Sequence, residues 1–105
     1  MNEYIEIDKE SIPYSFEIDL AGEIFDFEIN YNESFDFFTV DLYKNGKTLV
    51  LGEKIVLNMP LFQNRVSIDL PKVQIIPKDR AGVAKRITYS NLNETVFLFV
   101  GESSE

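Results

Sequence analysis

This 105-residue sequence predicts one small all-β domain, an antiparallel barrel or sandwich of about seven short strands. Three observations carry that expectation. Apolar residues recur at every second position through the longest patterned stretches. Two of the breaks, Ala21-Gly22 and Asn45-Gly46, are two-residue links ending in glycine, the signature of tight hairpins. No stretch has the apolar spacing of a three-turn helix; the most that is expected is a short turn around Tyr89 to Asn93. The length suits a single domain, placed at residues 1–101, with 102–105 as a flexible tail.

The elements follow in order. From Tyr14 to Leu20 the apolar set is Tyr14, Phe16, Ile18 and Leu20, with Ser15, Glu17 and Asp19 on the other face. After Ala21-Gly22, Phe25, Phe27, Ile29 and Tyr31 alternate with Asp26, Glu28 and Asn30. Strands with one wet face alternate in this way. In Phe35–Tyr43 the phase changes near Phe37-Phe38, which predicts a bulge or coverage of both faces there. Asn45-Gly46 then turns the chain into Lys47–Leu51. Gly52 permits a kink, and Glu53–Leu57 continues as a further strand or as the far half of a bent one. Pro60 breaks the pattern. Short extended pieces are expected at Leu61-Phe62, Arg65–Leu70 and Val73–Ile76, held to edges or strand ends by Pro71 and Pro77. Asp79–Gly82 reads as a turn. Thr95–Val100 is apolar on both phases, so it is expected to be a central strand covered on both sides. Phe16, Ile18, Phe27, Ile29, Val40, Leu42, Val96 and Leu98 form the expected core.

Composition removes most chemistry. There is no cysteine, so disulfides, thiolate metal sites and cysteine nucleophiles are excluded. There is no histidine, the commonest general base and transition-metal ligand. The start is acidic and alternating, without the basic and apolar segments of a secretory leader, and no apolar run approaches the ~20 residues that span a bilayer. No phosphate loop, nucleophile elbow or zinc motif occurs. Asn30–Asp36 has oxygen ligands, but it lacks the glycine and the closing acid of a calcium loop. No cofactor or metal is expected.

The net charge of −8 is unevenly placed. Residues 1–41 hold twelve acids and one base; residues 42–105 hold six acids and nine bases. Such an acidic half repels phosphates, so nucleic acid is not an expected partner. Glu17, Asp19, Asp26 and Glu28 should share the outer face of one hairpin. They are the only catalytic material, but an exposed hairpin supplies neither the cleft nor the desolvation that a carboxylate pair needs. They read as a solvated face or as an acidic surface for a basic partner. Lys72, Lys78, Arg80, Lys85 and Arg86 cluster in the least regular segment, as a solvated loop or as a docking loop for an acidic partner.

The stretches Ile12-Pro-Tyr-Ser-Phe-Glu-Ile-Asp-Leu-Ala-Gly-Glu23, Phe27-Glu-Ile-Asn-Tyr-Asn-Glu-Ser-Phe-Asp-Phe-Phe-Thr-Val-Asp-Leu-Tyr43, Asn58-Met-Pro-Leu-Phe62 and Asn93-Glu-Thr-Val-Phe-Leu98 together resemble the baseplate plug family of simple contractile-tailed phages, of the cyanophage type. The likeness runs from Tyr4 to Val100. It is most specific at Tyr31–Leu42 and slight at Val73–Thr88. It implies a structural virion protein of the tail baseplate, made and assembled in the host bacterial cytoplasm, with no enzyme activity. It also implies a plug or hub position on the tail axis, with hub, spike and tube-end proteins as partners. Several copies are implied too, a homo-oligomer in the assembly with three-fold closure as the first expectation; phage-tail-like bacteriocins use similar parts.

Two other classes stay open on the residues alone. One is a carbohydrate-binding-like module, whose exposed aromatics would be Tyr31, Phe35, Tyr43 and Tyr89. The other is a carboxylate enzyme. Small β domains serve many purposes.

Overall fold

The computed structural model describes residues 3–63 and 69–102. Among them lie seven strands: β1 (Glu3–Ile5), β2 (Tyr14–Leu20), β3 (Glu23–Asn32), β4 (Phe37–Lys44), β5 (Lys47–Lys54), β6 (Val73–Asp79) and β7 (Val96–Glu102). They pair antiparallel in two sheets, ordered β2-β3-β4-β5 and β1-β7-β6. The sheets stack as an open sandwich. One core lies between them, with Phe25, Phe27, Phe38 and Leu42 from the first sheet and Ile5, Ile75, Val96 and Leu98 from the second. Each such side chain withdrawn from water contributes roughly 1.5–3 kcal/mol.

Both glycine links form hairpins. The first central residues, Ala21 (φ 55°) and Asn45 (φ 53°), and the glycines after them all have positive φ, so both turns are of the type whose twist matches the strands. Asparagine tolerates this backbone; alanine does so only with strain. Ala21→Asn is therefore expected to stabilise the domain by about 1 kcal/mol, read as a higher urea midpoint. An unchanged midpoint would show that the turn carries no such strain.

Six of the eight expected core residues are fully buried; Phe16 and Ile18 are only partly so, because β2 is the outer strand of its sheet. The phase change near Phe37-Phe38 is neither a bulge nor double coverage. Residues 33–36 form a turn, Asp36 takes φ 57°, and β4 begins at Phe37, leaving Phe35 73% exposed. Two register shifts sit further on, one between Val40 and Leu42, opposite the bend at Gly52 (φ 67°), and one between Leu42 and Tyr43, so β5 is one bent strand.

Leu61-Phe62 is a turn rather than an extended piece. Its side chains enter the core, and Phe62 meets Phe27 edge to face at 6.2 Å. The same segment covers the outer edge of β6: the Asn58 amide donates to the Pro77 carbonyl (2.7 Å) and the Leu61 amide to the Ile75 carbonyl (2.8 Å). Of the extended piece expected at Arg65–Leu70, residues 65–68 lie outside the described residues, and Asp69-Leu70 is turn and bend. The Asp79–Gly82 turn forms as expected. The Asp79 carboxylate accepts from the amides of Ala81, Val83 and Ala84, and the Ala84 amide above all holds its pKa below the usual carboxylate range. One turn forms at Thr88–Asn93, closed by the Leu92 amide on the Thr88 carbonyl.

β7 is central in its sheet, between β1 and β6. Only one of its faces is covered by the core, a departure from the expected double coverage. The three-residue β1 had no sequence signal long enough to assign, yet it sets Tyr4 opposite Phe99. β7 runs on to Glu102, opposite Val73, and the rest of the expected tail, 103–105, lies outside the described residues.

Candidate functional site

The acidic candidates come together as expected. Glu17 lies directly across from Asp26 on β2 and β3, Glu28 lies across from Asp41 of β4, and Asp19 stands next along β2. All five project from the outer face of the four-stranded sheet. In a hairpin closed by two residues, Leu20 and Glu23 form a hydrogen-bonded pair, which makes Glu17 and Asp26 one of the close, non-bonded pairs. Among the described residues no cation pairs with any of the five. Like charges so placed cost stability. Asp41 was missed in the sequence because the apparent phase change at Phe37-Phe38 hid its face. Counting back from Asn45-Gly46 would have found it.

The basic candidates do not form one patch. Lys72 precedes β6 and Arg80 follows it, about 26 Å apart along an extended chain. Lys78 and Arg80 are exposed; Lys78 projects from the outer face of the three-stranded sheet, and the Arg80 guanidinium reaches that face to lie over the Phe99 ring, 4.8 Å from its centre. Lys85 is exposed beside Arg86. Arg86 is turned onto its own chain: Nη1 donates to Asp36 Oδ2 (3.3 Å), and Nη2 to the carbonyls of Asp36 (2.8 Å) and Phe35 (3.2 Å).

Asp36 is the centre of that contact. Its Oδ1 also accepts from the Tyr31 hydroxyl (2.7 Å) and the Tyr89 amide (2.8 Å). The Tyr31 hydroxyl, then the Tyr89 amide, then Arg86 hold the Asp36 carboxyl below the usual carboxylate range. The same bond to Asp36 is the largest cause pushing the Tyr31 hydroxyl up to about 12. This carboxylate joins the β3–β4 turn to residues 86–89. Within the stretch weighed as a calcium loop, its oxygens thus serve the fold.

The exposed aromatics weighed for a sugar site do not line up. Tyr31 and Tyr89 pack against each other (5.1 Å) and on Phe38, Phe35 stands alone on its turn, and Tyr43 lies opposite Asp26 on another face. A different aromatic group sits on the outer face of β1-β7-β6. Tyr4 contacts Phe97 (4.5 Å) and Phe99 (6.1 Å), and the two phenylalanines are 6.0 Å apart. Its sequence signal was the apolar character of both phases of β7.

The molecule thus presents a rigid two-layer scaffold with an acidic face on one side and an aromatic face with cations on the other. Among the described residues no histidine, cysteine, aspartate or glutamate side chains gather as metal ligands would. The family model described as cyanophage baseplate Pam3 plug gp18 matches residues 2–103. No match to a curated protein accompanies it. With nearly its whole length matched, the chain belongs to the cyanophage baseplate plug family and is a structural protein of the virion's tail baseplate.

Proposed function

We propose that the chain works as a plug at the tail axis, filling space and joining hub, spike and tube-end neighbours through its sheet faces, with no covalent chemistry. The family match over residues 2–103 carries this reading. The acidic face supports it: Glu17 and Asp26 stand directly across from each other with no cation partner among the described residues, at a cost to the lone domain, as expected of a surface that meets a basic neighbour, whereas Asp41 beside them also accepts the Gly52 amide (2.6 Å). Several copies surround the axis in this reading. The acidic and cationic faces look in opposite directions, so contact between them propagates as a stack instead of closing a ring. Three-fold closure would then follow from the neighbours that define the axis.

Glu17→Lys separates the two roles of that face. It replaces a like-charge cross-strand pair by an opposite one, and the isolated domain is expected to gain about 0.2–1 kcal/mol. Purified tails are expected to carry less of the chain, measured by quantitative mass spectrometry against the tube protein. Full incorporation of the variant would remove the acidic face from the proposal. A cryo-EM map of the tail tip with the chain away from the axis would remove the plug position itself.

A further inference from the structure

The middle strand of the three-stranded sheet carries phenylalanine on an outer face that the core does not cover. Val96 and Leu98 point inward and are fully buried. Phe97 and Phe99 point outward, where a sheet covered on one side alternates to polar residues. Around them on that face lie Tyr4, 46% exposed, and Ile76, directly across from Phe99. Lys78 stands across from Phe97, and Arg80 lies over Phe99. A groove of about 320 Å³ opens beside Phe99 and Arg80, continuing past Gln74 and Gly101. No outward strand position of this face, among those whose side chains are described, carries an acid; Glu6 stands just beyond the end of β1.

An apolar, aromatic centre with cations at its margin is the anatomy of a protein-binding surface: the rings supply contact area, and the rim charges orient the partner. The ring planes are inclined to one another by 48–78°, so they offer no flat platform for a sugar. A second copy fits poorly. Face against the same face brings the Lys78 and Arg80 cations of both copies together. Face against the acidic sheet of another copy does not close, as noted above.

We infer that the outer face of β1-β7-β6 binds a different baseplate protein, through a surface with an apolar centre and a carboxylate that pairs with Arg80 or Lys78. This rests on the baseplate reading and adds a partner and an address to it.

The test places a photo-crosslinking residue on the face, Tyr4→p-benzoylphenylalanine, in the full chain assembled into tails. Irradiation is expected to give an adduct with another tail protein whose acceptor peptide contains Asp or Glu. A dimer of this chain, an acceptor peptide without acids, or no adduct from tails that contain the chain would overturn the inference. A second variant needs no crosslink. Lys78→Glu with Arg80→Glu leaves the core untouched, and it is expected to melt as the parent does while its amount in purified tails falls by about tenfold. Retention at the parental amount would overturn the inference as well. Absence of the unsubstituted chain from purified tails is a distinct result: it overturns the baseplate reading beneath it.

Discussion

Phe27→Ala is expected to cost about 3–5 kcal/mol of unfolding free energy, against a total of about 5–15 kcal/mol for a domain of ordinary stability. Phe27 is completely buried in β3, an interior strand of the four-stranded sheet. Its ring meets Phe16 of β2 at 5.7 Å and Phe62 of the segment after β5 at 6.2 Å, and it stands across from Leu42 of β4. Those neighbours come from three separate elements, each fixed by its own backbone hydrogen bonds. They cannot close together over the missing ring, so the cavity term adds to the lost transfer energy. The measurement is a urea titration. The midpoint is expected to fall far below the parent's, with native signal already reduced without denaturant. Phe35→Ala is the matched control: at 73% exposure it is expected to move stability by less than about 0.5 kcal/mol. A Phe27→Ala chain that melts with the parent would mean that this face is not the core.

The same residues show why so much of the fold was legible beforehand. In β2, β3 and β4 one face meets the core and the other is open to water, so period two survives in the sequence, and the glycine links mark both hairpin turns. Where the physics departs from that rule, the pattern fails. β1 is held by β7 and is too short to show a period of its own. Leu61 and Phe62 fill the core from a turn, so their apolarity is not a strand signal. β7 is apolar on both faces but has core on only one, and hydropathy cannot say whether the second cover is this chain or another molecule. The candidate site divides in the same way. The acidic set was readable because it lies on alternating strands. The basic set was not, because nearness in sequence around Pro77 and Gly82 does not become nearness in space, and Arg86 serves its own chain by way of Asp36.

The second large effect is expected at Asp36, which ties together segments some fifty residues apart. Asp36→Ala removes the acceptor for the Tyr31 hydroxyl, the Tyr89 amide and Arg86 Nη1 in one step. It is expected to lower the melting temperature by several degrees, more than Arg86→Ala and more than Tyr31→Phe. Tyr31→Phe takes one donor from the carboxylate; Arg86→Ala takes one from the carboxylate and two from the Phe35 and Asp36 carbonyls, which stay open to water, and both leave the Tyr89 amide bonded to Asp36. The position also has φ 57°, so alanine adds backbone strain there. Asp36→Asn tolerates that backbone and separates the two causes, because it removes the charge while keeping a polar side chain. The contact also writes a pH dependence with two arms. The Asp36 carboxyl is depressed in the folded chain, so its contribution is complete above the ordinary carboxylate range and disappears as pH falls through its folded value. Asp79, held low by backbone amides, acts in the same direction. Tyr31 is raised from 10.0 to about 12, so the folded state holds its proton longer than the unfolded chain, and stability declines as pH rises between those values. Tyr43 is raised too, chiefly by burial, and contributes to the same arm. Melting temperature against pH is therefore expected to be flat around neutrality and to fall on both sides. Tyr31→Phe is expected to make the alkaline fall shallower, leaving the part due to Tyr43, and Asp36→Asn to make the acid fall shallower, leaving the part due to Asp79 and to Glu23 and Asp69, which their bonds to Lys44 and Lys47 hold low. Both arms unchanged in these two variants would show that the turn of residues 33–36 is held by its own backbone and not by this carboxylate.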